Sequence, residues 1–142
     1  MEDKRTAYKR ELKKHLYFNR TLSCSDLSLL TNKSLPFVTK SLNDLIADGS
    51  VVETGLANST GGRRAQMLSL KPDLHYIVSV AVDQLNTKIK ILDMHNNAVS
   101  ETERIELPLK NNPQSLEQLR SGILHFIGNC KLDMNKIIGI GI

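Results

Sequence analysis

The side chains best suited to meeting another molecule fall in two places. One is the stretch holding Ser34, Pro36, Phe37, Thr39, Lys40 and Asn43; the other is Arg63 and Arg64, directly behind Gly61-Gly62. The first set suits the edge of a nucleic-acid duplex. Short polar side chains near a helix start can reach base edges in a major groove, and unpaired N–H groups at a helix N-terminus attract phosphate. Lys40 fits a phosphate contact, which adds affinity without sequence information. Asn43 carries the amide that reads adenine, or is simply solvated that far along the helix. Phe37 either meets a thymine methyl or packs against the preceding helix. Arg63 and Arg64, on a backbone of almost no bulk, fit a narrow minor groove, where A·T tracts concentrate negative potential. The plainer alternative for them is a solvent-exposed hairpin tip.

Other chemistries lack the spacing they need. No two of His15, His75, His95 and His125 stand three or four residues apart and none neighbours a cysteine, so no metal site is expected. Cys24 and Cys130 are too far apart in sequence for a metal knuckle or a CxxC motif. Cys24 lies near a helix start, where a thiol can be acidified, and fits equally as a small packed side chain. Gly139-x-Gly141 is too short for a phosphate loop, and no nucleophile–base pair follows from spacing.

The elements that must position these residues can be read from periodicity. Tyr8, Leu12 and Leu16 form one stripe of an amphipathic helix whose remaining surface holds Lys9, Arg10, Lys13 and Lys14. Ser25-Asp26 predicts the cap and acidic first turn of a short second helix, with Leu27 and Leu30 inward and a turn at Asn32-Lys33. Ser34-Leu35-Pro36 opens a third helix with Pro36 in its first turn. Its core face is Leu35, Val38, Leu42, Leu45 and Ile46, and Gly49 ends it as a left-handed position. Strands at Val51–Thr54 and Gln66–Leu70 follow, joined by the polar loop 55–65. Three helices and a β-hairpin in this order form the layout of a winged helix-turn-helix over residues 1–71.

Residues 72–142 read differently. A strand buried on both faces is expected at His75–Val82, a second at Lys88–Met94, a turn at His95-Asn96-Asn97, and a third strand at Ala98–Leu107. Ser115-Leu116-Glu117-Gln118 has the pattern of a capping box opening a helix, with a core stripe of Leu116, Leu119, Ile123, Phe126, Ile127 and Cys130. A fourth, buried strand begins at Lys136–Ile142. The β-β-β-α-β order needs further strands and helices to cover it. The second half is thus expected to be the opening of a larger α/β domain, and the chain a fragment whose last strand has an open edge.

Charge separates the halves. The 142 residues carry 19 basic and 15 acidic side chains, a net charge of +4. Residues 1–71 hold 12 against 7 and residues 72–142 hold 7 against 8, so the basic surplus belongs to the first half alone. That favours a polyanion as its partner, a solvated basic helix being the alternative. No apolar run approaches the roughly 18 residues of a membrane span, and no apolar stretch follows the N-terminus as in a signal peptide. A cytoplasmic protein with free thiols is expected.

Taken together, Leu35-Pro36-Phe37-Val38-Thr39, Leu45-Ile46-Ala47-Asp48-Gly49, Ser59-Thr60-Gly61-Gly62-Arg63-Arg64, the strand and turn ending Asp83…Thr87, and Ile138-Gly139-Ile140-Gly141-Ile142 resemble the ROK family of repressors and sugar kinases. The resemblance spans essentially the whole chain. It implies an α+β protein, with a winged helix-turn-helix followed by the opening β-β-β-α-β part of a ribonuclease-H-like, sugar-kinase-like domain. It also implies a repressor of sugar-utilisation genes, relieved by a sugar or sugar phosphate and binding double-stranded DNA at a palindromic operator as a homodimer. The family's kinases carry an Asp-x-Gly-Gly-Thr loop around nucleotide phosphate. Here the stretch is Asp83-Gln84-Leu85-Asn86-Thr87, and side chains replace both glycines, which speaks against ATP binding and against an enzyme. The family's sugar-contacting residues and cysteine-rich zinc motif would lie beyond Ile142, so no cofactor is expected within this chain. The alternatives are a sugar kinase with an appended DNA-binding module, and a winged helix serving as a protein-interaction module.

Overall fold

The computed structural model describes residues 3–57 and 64–142, which form two compact units, residues 1–71 and 72–142. Both mix helices with antiparallel strands, so the chain is α+β. Among the described residues no helix is long and apolar enough to cross a membrane.

In the first unit, helix α1 (Lys4–Asn19) buries Tyr8, Leu12 and Leu16, the stripe its periodicity predicts. Arg20, at φ +65°, ends it and turns the chain into the two-residue strand β1 (Leu22–Ser23). Helix α2 (Cys24–Thr31) starts earlier than expected because its cap is Ser23 rather than Ser25. Ser23 Oγ accepts from Asp26 N at 3.1 Å, while Asp26 Oδ2 accepts from Ser23 N at 2.8 Å and from Ser23 Oγ at 2.7 Å. This reciprocal box satisfies two backbone donors at once. It also sets the phase of the helix, so that Leu27 and Thr31 are buried while Leu30, expected inside, is 50% exposed.

Helix α3 (Leu35–Ala47) buries Val38, Ser41, Leu42 and Leu45. Leu35, expected in this core, is 48% exposed. It lies at the first position of the helix, where no neighbouring turn covers it. Gly49 takes the left-handed conformation at φ +76° after the helix end. Strands β2 (Val51–Leu56) and β3 (Gln66–Leu70) then pair antiparallel, with β1 on the other side of β3. β2 runs two residues further than expected through a bulge: Glu53 pairs with Leu68 and Gly55 with Met67, leaving Thr54 as the extra residue. Gly55 adopts φ +125° at that bulge, a conformation suited to glycine.

In the second unit, strands β4 (Tyr76–Val82), β5 (Asn86–Leu92), β6 (Glu103–Glu106) and β7 (Ile137–Gly141) form one sheet in the order β6-β5-β4-β7. β7 is parallel to β4 and reached through helix α4 (Ser115–Asn129) and a 3-10 turn at Met134–Lys136. Tyr76, Val78, Val80, Ile89 and Ile91 pack with Ile123, Phe126 and Ile127 of α4. Gly122 brings α4 close to β6, since a Cβ there would meet Ile105 Cδ1 at 2.5 Å.

Several expected features of this unit shift. β4 alternates buried positions with half-covered or exposed ones instead of being buried on both faces, because α4 covers one side only. β5 begins at Asn86 rather than Lys88. The long third strand reduces to β6, preceded by an isolated bridge between Leu92 and Ala98, because Ser100 Oγ takes the Ile91 N–H that a ladder carbonyl would accept. α4 has no side-chain cap and its Leu116 is 77% exposed. Gln118, the residue needed for a capping box, instead accepts from Asn112 Nδ2 at 2.9 Å. β7, expected to be buried, lies at the sheet edge with Ile138 and Ile140 exposed.

The box at α2 gives a direct test. Ser23→Ala should lower the unfolding free energy by about 1 kcal/mol. The hydrogen bonds from Ser23 hold the Asp26 carboxyl below the usual carboxylate range. Their stabilisation is therefore full above about pH 4 and lost as pH falls through the lowered folded value. Urea midpoints of the two proteins should differ at pH 7, and the gap should narrow in acid to the part owed to the Asp26 N–Ser23 Oγ bond, which does not titrate.

Candidate nucleic-acid interface

The geometry of the first unit follows from how α3 is held. Tyr8 of α1 is buried and its hydroxyl lies 3.0 Å from Thr31 Oγ1 of α2, which in turn donates to Leu27 O at 2.7 Å. Burial pushes the Tyr8 phenol above its ordinary pKa, so it keeps its proton. The Tyr8 ring also packs against Phe37 of α3, with centroids 4.9 Å apart. Phe37 is thus a partly exposed packing residue whose ring partner is Tyr8 of α1.

A second tie uses charge. Asp44 on α3 accepts from Arg5 Nη2 at 2.5 Å and pairs with Lys9 Nζ at 3.1 Å, and these hydrogen bonds hold its carboxyl below the usual range. Lys13 donates to Ser50 Oγ at 2.9 Å, just beyond the C-terminal end of α3. Three of the cations on α1 therefore face the protein, and the basic surplus of the first half is only partly available to an external anion. Exposed pairs of this kind contribute little stability singly; their effect here is to fix the angle of α3 against α1.

What α3 leaves outward is the set Ser34, Pro36, Phe37, Thr39, Lys40 and Asn43, all exposed. The cluster of helix-start N–H groups expected there is sparse. Pro36 has none, and those of Phe37 and Val38 both turn to Ser34 O at 3.0 and 3.1 Å. Ser34 is the N-cap residue but its side chain makes no capping bond.

A cleft of about 1030 Å³ runs between the start of α2, the face of α3 and the β2–β3 hairpin. Of the residues singled out in the sequence, Thr39, Asn43 and Arg64 line it, whereas Ser34, Pro36, Phe37 and Lys40 do not. Arg64 is exposed; Arg63, with Gly61 and Gly62, lies outside the described residues. Ala57 N donates to Ala65 O at 2.8 Å and closes the hairpin short of its tip. Sequence reasoning missed the contributions of Cys24 and Ser25 from α2, of Leu35, and of Gln66 from β3. Recognising Ser23 as the cap would have placed Cys24 in the first turn of α2. Its Sγ lies 3.2 Å from Thr39 Oγ1.

In the second unit the Asp83 turn is closed on itself. Asp83 Oδ1 accepts from Leu85 N at 2.8 Å and Asn86 N at 2.7 Å, and Asp83 N donates to Asn86 O. These backbone bonds keep the Asp83 carboxyl below the usual range. The Leu85 and Asn86 amides are thus already engaged. Among the described residues no group of three or more His, Cys, Asp or Glu is placed to hold a metal ion, and both cysteines are free thiols.

No protein-family model matches the chain, and no curated protein matches it in sequence. Among solved structures it is similar to the crystal structure of a ROK family transcriptional regulator described as a homologue of the E. coli MLC protein. The TM-score is 0.56 and the identity 18%, over 84% of this chain and 30% of that one. A structure of prokaryotic transcription factors matches over 92% of this chain and 87% of that one, at 15% identity and a TM-score of 0.31, too loosely to bear on the fold. The first likeness is one of fold, and this chain spans less than a third of that regulator's length.

Proposed function

We propose that residues 1–71 are a winged helix-turn-helix DNA-binding domain and that residues 72–142 open a ROK-type, ribonuclease-H-like effector domain. The protein is then a DNA-binding transcriptional regulator. The observation that carries this reading is the cleft in the first unit: α3 offers a face of exposed residues, and an antiparallel hairpin bearing an exposed arginine stands beside it. The likeness in fold to a ROK family regulator supports the same reading. In this reading Lys40 meets phosphate, Asn43 and Thr39 approach base edges, and Arg63 and Arg64 enter the minor groove. Two copies bind a palindromic operator as a homodimer, since one module reads one half-site. A sugar or sugar phosphate bound by the whole effector domain relieves repression by changing the placement of the two modules. The closed Asp83 turn favours a sensor over a kinase.

Binding of the chain to A·T-rich duplexes across a salt series tests this. Affinity should fall steeply with salt. Lys40→Ala should lower the slope of log K against log salt by about 1, and Arg63→Ala with Arg64→Ala by about 2. Lys9→Ala should leave the slope unchanged and lower the melting temperature, because its ammonium is paired with Asp44. Binding indifferent to salt and to Lys40, Arg63 and Arg64 overturns the assignment. ATP turnover with sugars would favour the kinase.

A further inference from the structure

The outward face of α3 is less polar than its residue types suggest. Leu35 is exposed although apolar, and Thr39 follows one turn later on the same side, both lining the cleft beside the hairpin. The Thr39 hydroxyl is already committed. Its single proton goes to Leu35 O at 2.9 Å, which makes the Cys24 thiol, 3.2 Å away, the donor to its oxygen. Donating to a base would require breaking the bond to Leu35. With the oxygen tied back to the preceding turn, the branch left over is the methyl group Cγ2. Leu35 and this methyl, one turn apart, give an apolar edge to a helix that also exposes Pro36, Phe37, Lys40 and Asn43.

We propose that α3 recognises thymine by its 5-methyl group, seated on the edge made by Leu35 and the Thr39 methyl. This rests on the reading of residues 1–71 as a DNA-binding domain and names what that domain reads. The occupant follows from charge. Exposed Lys40 follows Thr39 directly on α3 and exposed Arg64 lines the cleft, where Glu53 is the acidic side chain of the lining, so the matching surface is a polyanion that presents apolar groups. The thymine methyl is the apolar group that base edges offer in the major groove. Asn43 stands one turn beyond Thr39 and bears the amide that pairs with adenine, so Leu35, Thr39 and Asn43 form a ladder suited to A·T pairs.

The test uses a duplex selected from a random library by the chain itself, then resynthesised with deoxyuridine at successive thymine positions. Uracil differs from thymine at C5 alone, leaving the minor groove and the phosphates unchanged. Affinity should fall about fourfold for each contacted methyl. Thr39→Ser keeps the hydroxyl and removes the methyl, so the thymine-to-uracil ratio at one position should drop toward one. Thr39→Val keeps the methyl and should retain that ratio, whatever its absolute affinity. Thermal melting checks that both variants fold. Equal binding of thymine and uracil duplexes, with the salt dependence intact, overturns this inference and leaves the DNA-binding reading standing. A ratio kept by serine and lost by valine overturns it in favour of the hydroxyl. Failure to select any duplex, with no salt-dependent binding, overturns the DNA-binding reading itself and assigns the apolar edge to a protein partner.

Discussion

Tyr8 is the point on which the first unit depends. Its ring touches α3 through Phe37 and its hydroxyl meets α2 through Thr31, so one side chain of α1 fixes two other helices. A phenol suits this role because it combines a large apolar body with a single polar end, and burial keeps that end protonated. Without the hydroxyl, Thr31 would be a buried polar group with only a local partner. Without the ring, Phe37 would stand free and α3 would lose its seat at the end that carries the outward residues.

Charge is distributed to the same end. Asp44 draws Arg5 and Lys9 inward, and Ser50 takes Lys13, so these three cations tie α1 to α3 and to the residue just beyond its end. Lys40 of α3 is left exposed, and exposed Arg64 of the hairpin lines the cleft. The first half is thus basic for two different reasons, and net charge alone does not separate them. In the second unit the Asp83 carboxylate does for its turn what Asp26 does for α2: it occupies backbone donors that would otherwise be open to an anion.

Periodicity made the long elements legible. The Tyr8–Leu12–Leu16 stripe, the Val38–Leu42–Leu45 stripe, the turn at Gly49 and the strand Gln66–Leu70 all form as their spacing predicts. The ends were harder, because they are decided by single side chains competing for backbone groups. Ser23 and Ser25 are equally good caps as residue types, and only the position of Asp26 distinguishes them. Ser100 interrupts a strand, and Asn112 takes the Gln118 amide from a capping box, through contacts between residues six or more apart. Leu35 and Leu116 each sit in the first turn of a helix, and helical spacing alone gives no sign that nothing packs over them. In the candidate site the outward residues of α3 could be named from sequence, while the cleft could not. It needs the hairpin and the start of α2 folded beside α3, and the tie between Cys24 and Thr39 spans two helices.

The bulge at Thr54 has a bearing on how this hairpin can vary. In an unbroken strand, residues three apart point to opposite faces, yet Glu53 and Leu56 line the same cleft. The extra residue between them shifts the parity of everything beyond it. A single residue lost or gained at position 54 would turn the outer hairpin inside out, carrying Leu56 away from α3 and leaving the inner pairs of β2 and β3 untouched. Length changes of two residues on each strand would keep its faces where they are. The hairpin is therefore free to lengthen or shorten in evolution, but in steps of two.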